Sequence, residues 1–146
     1  MSDLYLLDTN ILVHLIRDDR TGQELKAKYI PFTREIKPLF CAVSEGELRS
    51  LALQFLWGGQ KLDKMEFALG YFGRVPIELT DVMKTYAIID AYSNSKGIKM
   101  GKNDLWIAAA TYVTGALLVT TDTDFDHLSA GFITIERLKL SRNSIS

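Results

Sequence analysis

Short apolar runs alternate with segments whose apolar residues recur at helical spacing, and no feature limits the possible folds of this chain more. Residues 4–7 (LYLL), 39–43 (LFCAV), 116–119 (ALLV) and 132–135 read as strands, with a further short strand around 75–79 marked by Pro76. A run that is apolar at successive positions, rather than at every second one, suits a strand covered on both faces, as in a parallel sheet. Helices are expected over 9–17, capped by Thr9 or Asn10, and after it from the capping-box pair Thr21 and Glu24. Ser44 is expected to open a third helix that Gly58-Gly59 stops. Others are expected over 61–73, from Thr80-Asp81 to about Ser95, and over 104–114, the last apolar almost all round and therefore buried. The expected fold class is α/β: one domain with a central parallel β-sheet flanked by helices on both faces.

The size agrees with one domain, since 146 residues bury one sizeable core and not two. A formal charge of −1 supplies no global field for a polyanion, so binding of nucleic acid has to rest on local cations. The single cysteine, Cys41, excludes an internal disulfide and a cysteine-based zinc site. The histidines, His14 and His127, are expected to be packing or surface residues. No apolar run approaches the roughly 18 residues of a membrane span, and no basic segment precedes the first apolar stretch, so no membrane association and a cytoplasmic location are expected. Residues 141–146 are polar and read as a flexible tail after a domain covering 1–140.

In open parallel sheets the chemistry lies beyond the carboxyl ends of the strands. Asp8 ends the first run, Asp122 lies just past the run at 116–119, and Glu47 follows the run at 39–43 by one helical turn. Asp104 reaches the same edge from the first turn of the buried helix. Carboxylates brought together raise one another's pKa, and a divalent cation between them removes that cost. Oxygen ligands without histidine or cysteine favour magnesium or manganese. Such a site can hydrolyse phosphodiesters with no side-chain nucleophile, which suits a chain without a phosphate-binding glycine fingerprint or a convincing Ser-His-Asp or Cys-His arrangement. Plainer roles exist beside these. Ser44 and Glu47 have the spacing of a capping box, and Asp104 suits the positive end of a helix dipole.

Four blocks, LLDTNIL (6–12), SEGELR (44–49), NDLWIAAA (103–110) and LVTTDTDF (118–125), resemble in order and spacing the PIN domain, in the form found in VapC-type toxins. The resemblance implies a magnesium- or manganese-dependent endoribonuclease whose metal and catalytic residues are Asp8, Glu47, Asp104 and Asp122. Thr9, Asn10 and Thr121 would give polar support. Asp124 and Asp126 are possible outer ligands, and which of 122, 124 and 126 is the fourth acid stays open. Between Glu45 and Glu47, the ELR pattern favours Glu47. The resemblance further implies RNA as substrate, cut to a 5′-phosphate and a 3′-hydroxyl, a homodimer, and inhibition by a VapB-type antitoxin. Lys96, Lys99 and Lys102, joined by Arg49, are candidates for contacts with RNA phosphates.

Two other magnesium-using α/β classes fit less well. A haloacid-dehalogenase phosphatase wants an acid where Asn10 stands, and a receiver domain begins with an acidic pair after its first strand. The stronger competitor is a catalytically inactive PIN-like module that binds RNA or protein, against which the presence of all four acids speaks.

Overall fold

The computed structural model describes residues 4–30 and 35–139, so the expected tail at 141–146 lies outside the described residues. Strands β1 (Tyr5–Leu7), β2 (Leu39–Cys41), β3 (Gly73–Val75), β4 (Leu117–Thr120) and β5 (Thr134–Arg137) form a parallel sheet in the order β3-β2-β1-β4-β5. The connecting helices are α1 (Thr9–Arg17), α2 (Arg20–Tyr29), α3 (Ala42–Gln54), α4 (Gly59–Tyr71), α5 (Thr80–Ser95) and α6 (Lys102–Thr114), with a 3-10 helix at Thr123–Ala130. The expected α/β class with a parallel sheet is what the chain adopts.

The three central strands, β2, β1 and β4, are apolar on both sides because each side has its own core. Leu7, Phe40 and Val119 pack with α1 to α4, whereas Leu6, Cys41, Val75 and Leu118 pack with α5, α6 and the 3-10 helix. Leu6 and Leu7 are neighbours in sequence and belong to opposite cores, as the two-residue period of a strand demands. The expected burial of the helix over 104–114 is also met, with Leu105, Ile107 and the alanines 108–110 almost inaccessible.

Several boundaries differ from the sequence expectation, each for a local reason. Asp8, not Thr9 or Asn10, caps α1, accepting a hydrogen bond from the Thr9 N–H. Asp19, not the Thr21-Glu24 pair, caps α2 by accepting from the Gly22 N–H at 2.7 Å. Helix α3 starts at Ala42, ahead of Ser44, and ends at Gln54 before Leu56 takes a left-handed φ of 50°. Gly58 caps the start of α4 instead of ending α3. Strand β3 precedes Pro76 rather than containing it, consistent with the missing N–H of proline.

Helices α1 and α2 meet closely at Gly22, where an added Cβ would stand 2.1 Å from the His14 carbonyl oxygen. His14 is buried, and its Nδ1 lies 3.2 Å from Asp19 Oδ2, so the corner cannot widen without losing that contact. Gly22→Ala is therefore expected to destabilise the fold by about 2–3 kcal/mol, read as a lower denaturant midpoint. An unchanged midpoint would show that the corner yields.

Candidate active site

The strand order reverses direction of growth at β1, with β2 added on one side and β4 on the other, so a crevice opens at the carboxyl ends of β1 and β4. The register Leu6 with Leu118 and Leu7 with Val119, extended by one step, sets Asp8 opposite Thr120. The Thr120 hydroxyl donates to Asp8 Oδ2 at 2.6 Å, and the Thr9 N–H donates to Asp8 Oδ1 at 2.8 Å. Thr120 also accepts from the Asp122 N–H at 3.0 Å, so one fully buried hydroxyl ties the acid after β1 to the acid after β4. Asp122 in turn caps the 3-10 helix by accepting from the Asp124 N–H at 2.9 Å, which folds Asp124 back beside it.

Glu47 reaches the crevice from the second turn of α3. The Thr9 hydroxyl donates to Glu47 Oε1 at 2.7 Å and lies 2.7 Å from the Ser44 hydroxyl. Because Thr9 has one proton and spends it on Glu47, Ser44 must donate to Thr9. The capping-box role of Ser44 and Glu47 is thus not used. Helix α3 begins earlier, and both side chains serve the contact with α1.

Asp104 lies in the first turn of α6, and carboxylate oxygens of Asp104, Asp122 and Asp124 come within 4.8 Å of one another. Burial pushes the Asp104 carboxyl up to about 7, with Asp8, Asp122, Asp124 and Glu47 adding to the rise in that order. Asp8 is also raised, chiefly by burial and further by Asp122 and Glu47, while its bonds from Thr120 and Thr9 oppose the change. Five acids thus share one electrostatic environment at the sheet edge. The donor set of clustered carboxylate oxygens suits a hard divalent cation, which would relieve the part of the Asp104 shift that its acidic neighbours add to burial.

The remaining candidates are placed less centrally. Asp126 is engaged outside the cluster, with Arg137 Nε 3.5 Å from its carboxylate. Thr121 is partly exposed, and the adjacent Thr120 provides the hydroxyl that the acids use. Thr120 is not among the residues expected from sequence, although aligning LLD at 6–8 with LVT at 118–120 as paired parallel strands places it. Asn10 is exposed on the first turn of α1. Arg49 is engaged by Glu45 at 3.0 Å and Glu66 at 2.8 Å, partners that compete with any phosphate. Lys96 lies over the Tyr92 ring at 5.6 Å, and Lys99 and Lys102 are exposed on the approach to Asp104. Other potential nucleophiles are held elsewhere. Burial pushes the Cys41 thiol up to about 11, and His127 Nε2 is 2.8 Å from the inaccessible Ser93 hydroxyl, a bond that fastens the 3-10 helix to α5.

Comparison with known proteins places this geometry in context. The PIN domain family model matches residues 5–131. Solved structures with similar folds include VapBC2 from Rickettsia felis bound to a promoter DNA fragment, with 21% identity, a TM-score of 0.76, and coverage of 93% of this chain and 99% of that one. VapBC-5 from Mycobacterium tuberculosis has 22% identity and a TM-score of 0.70, covering 94% of this chain and 100% of that one. VapBC-1 from nontypeable Haemophilus influenzae has 19% identity and a TM-score of 0.74, covering 92% and 97%. At these identities the likeness is one of fold. Among curated protein sequences, none matches.

Proposed function

This chain belongs to the PIN domain family, and we propose that it is a magnesium- or manganese-dependent endoribonuclease, the toxin half of a toxin–antitoxin pair. The observation that carries the reading is the convergence of Asp8, Glu47, Asp104, Asp122 and Asp124, from segments far apart in sequence, with carboxylate oxygens of Asp104, Asp122 and Asp124 within 4.8 Å of one another and burial together with the neighbouring acids raising Asp104 to about 7. A structural role does not account for it, because five acids crowded at one edge destabilise a fold unless something binds them.

In this reading Asp104, Asp122 and Asp124 hold the ion, with Asp8 and Glu47 completing the negative wall. When bound, the divalent cation supplies charge neutralisation at the scissile phosphate and makes water a competent nucleophile at neutral pH. The chain's own work is orientation. Thr9 and Thr120 fix the carboxylates of Glu47 and Asp8, so little reorganisation is needed as charge develops. Lys99 and Lys102 then guide the RNA backbone toward the crevice, and cleavage leaves a 5′-phosphate and a 3′-hydroxyl.

A VapB-type antitoxin as partner is supported by the similar folds, which are those of toxin–antitoxin complexes. A homodimer is supported by Leu53, Phe55 and Leu56, large apolar residues left 79%, 68% and 87% exposed where α3 ends. Among the described residues no helix is long and apolar enough to cross a membrane, and the proposed place of action is the cytoplasm.

The decisive measurement is cleavage of a mixed RNA pool by purified protein. Cleavage with magnesium or manganese is expected, with loss on chelation and in Asp8→Asn. Chelator-insensitive cleavage at equal rates in both proteins would reject the reading and identify a contaminant. Metal-dependent binding without cleavage would favour the inactive module.

A further inference from the structure

A groove of about 480 Å³ runs beside the acid cluster, between the start of α1, one face of α3 and the start of α6. It shares Glu47 and Thr9 with the cluster, and the rest of its wall is of a different character: Asn10, Ser50, Gln54 and Asn103 supply amides and a hydroxyl, and Leu51 an apolar surface. No lysine or arginine lines it, and Glu47 stands at its edge, so it offers a phosphate no cation and sets a carboxylate against it. Carboxamides present a donor and an acceptor side by side, which is the pattern needed to read the edge of a base. Single-stranded RNA offers such edges, because its unstacked bases splay out from the backbone.

We infer that this groove is a nucleobase subsite, in which Gln54 reads the edge of a base next to the scissile phosphate. The inference rests on the ribonuclease reading above and names what that site recognises. Gln54 is held in a suitable orientation, because its Nε2 donates to Ser50 Oγ at 2.8 Å, one turn earlier on α3. That bond uses one N–H of the amide and leaves its carbonyl oxygen and second N–H to a ligand. Gly46 contributes by lacking a side chain. A Cβ there would meet nothing within 4 Å, so the wall of the groove is open where every other residue type would project. Leu51 provides an apolar surface for the face of the ring, and Asn103, adjacent to Asp104, sets the base one step from the cluster.

The experiment measures binding of single-stranded hexamers of adenylate, cytidylate, guanylate and uridylate by fluorescence anisotropy to the Asp104→Asn protein, in which cleavage is blocked. The expected result is one base preferred over the others by about tenfold, as for a bidentate amide contact. The double variant Asp104→Asn, Gln54→Ala is expected to bind all four within about twofold. Gln54 is exposed, so its truncation leaves the core intact. Gly46→Leu, added to Asp104→Asn, is expected to weaken the preferred hexamer by about tenfold without lowering thermal stability, because leucine is the better helix former. Equal affinity for all four hexamers in the Asp104→Asn protein, or a base preference that survives Gln54→Ala, would overturn the inference. Neither result bears on whether the wild-type protein cleaves RNA, so failure here is distinct from failure of the nuclease reading.

Discussion

Asp104→Asn is expected to lower magnesium-dependent RNA cleavage by about a thousandfold or more, equivalent to roughly 4 kcal/mol of activation free energy, while making the metal-free protein more stable at alkaline pH. The two effects have one origin. The carboxylate is useful because a cation needs it, and costly because it is partly buried and four other acids surround it. The sign follows from linkage. Asp104 has a folded pKa of about 7 against an ordinary 3.8, so between these values the folded state holds a proton that the unfolded state has released. Its contribution to stability is present below about pH 4 and is lost as pH rises through about 7. Asparagine has no proton to lose. Discounting for its partly exposed position, the metal-free variant should exceed the wild type by about 1–2 kcal/mol at pH 8 and by little at pH 4. Denaturant unfolding at both pH values in chelator checks this, and the gap should close when saturating magnesium is added to the wild type. A variant no more stable than wild type at pH 8 would mean that burial and the neighbouring acids do not penalise the Asp104 carboxylate.

The second large effect is expected at Thr120. Valine keeps the shape and removes the hydroxyl, leaving Asp8 Oδ2 without its 2.6 Å donor and the Asp122 N–H without an acceptor. One buried and one part-buried polar group lose their partner together, so Thr120→Val should cost about 2–4 kcal/mol, whereas Thr120→Ser should keep most of the stability. Cleavage should fall about 10–100-fold, the usual effect of losing a group that orients a metal-binding carboxylate. Wild-type stability in the valine variant would mean that Thr120 does not hold the two acids in place.

The acids are legible in the sequence because strands and chemistry punctuate each other. Asp8 ends an apolar run in which a charge stands out, and a parallel sheet offers only one edge for such a residue to face. The less legible parts depend on where elements begin, and a difference of two residues changes roles. With α3 starting at Ala42, Glu47 sits in its second turn and meets Thr9, so a spacing that reads as self-capping is a contact between helices. The 3-10 helix has no sequence signal, since residues 123–130 lack a clear period, yet its cap brings Asp124 to Asp122. The choice between Thr120 and its neighbour depends on strand parity and pairing, neither of which one strand displays alone.

The sheet order has a consequence for how the molecule is made. Asp8 and its hydroxyl donor stand 112 positions apart, and two of the clustered acids come with that donor from 120–124, so the middle strand gains its second neighbour only late in the sequence. A growing chain therefore carries no complete pocket until residues 120–124 have been added to the segment that carries Asp8. Under the proposed nuclease function, fragments cut between the two halves are expected to be inert singly and to regain cleavage only when they reassociate.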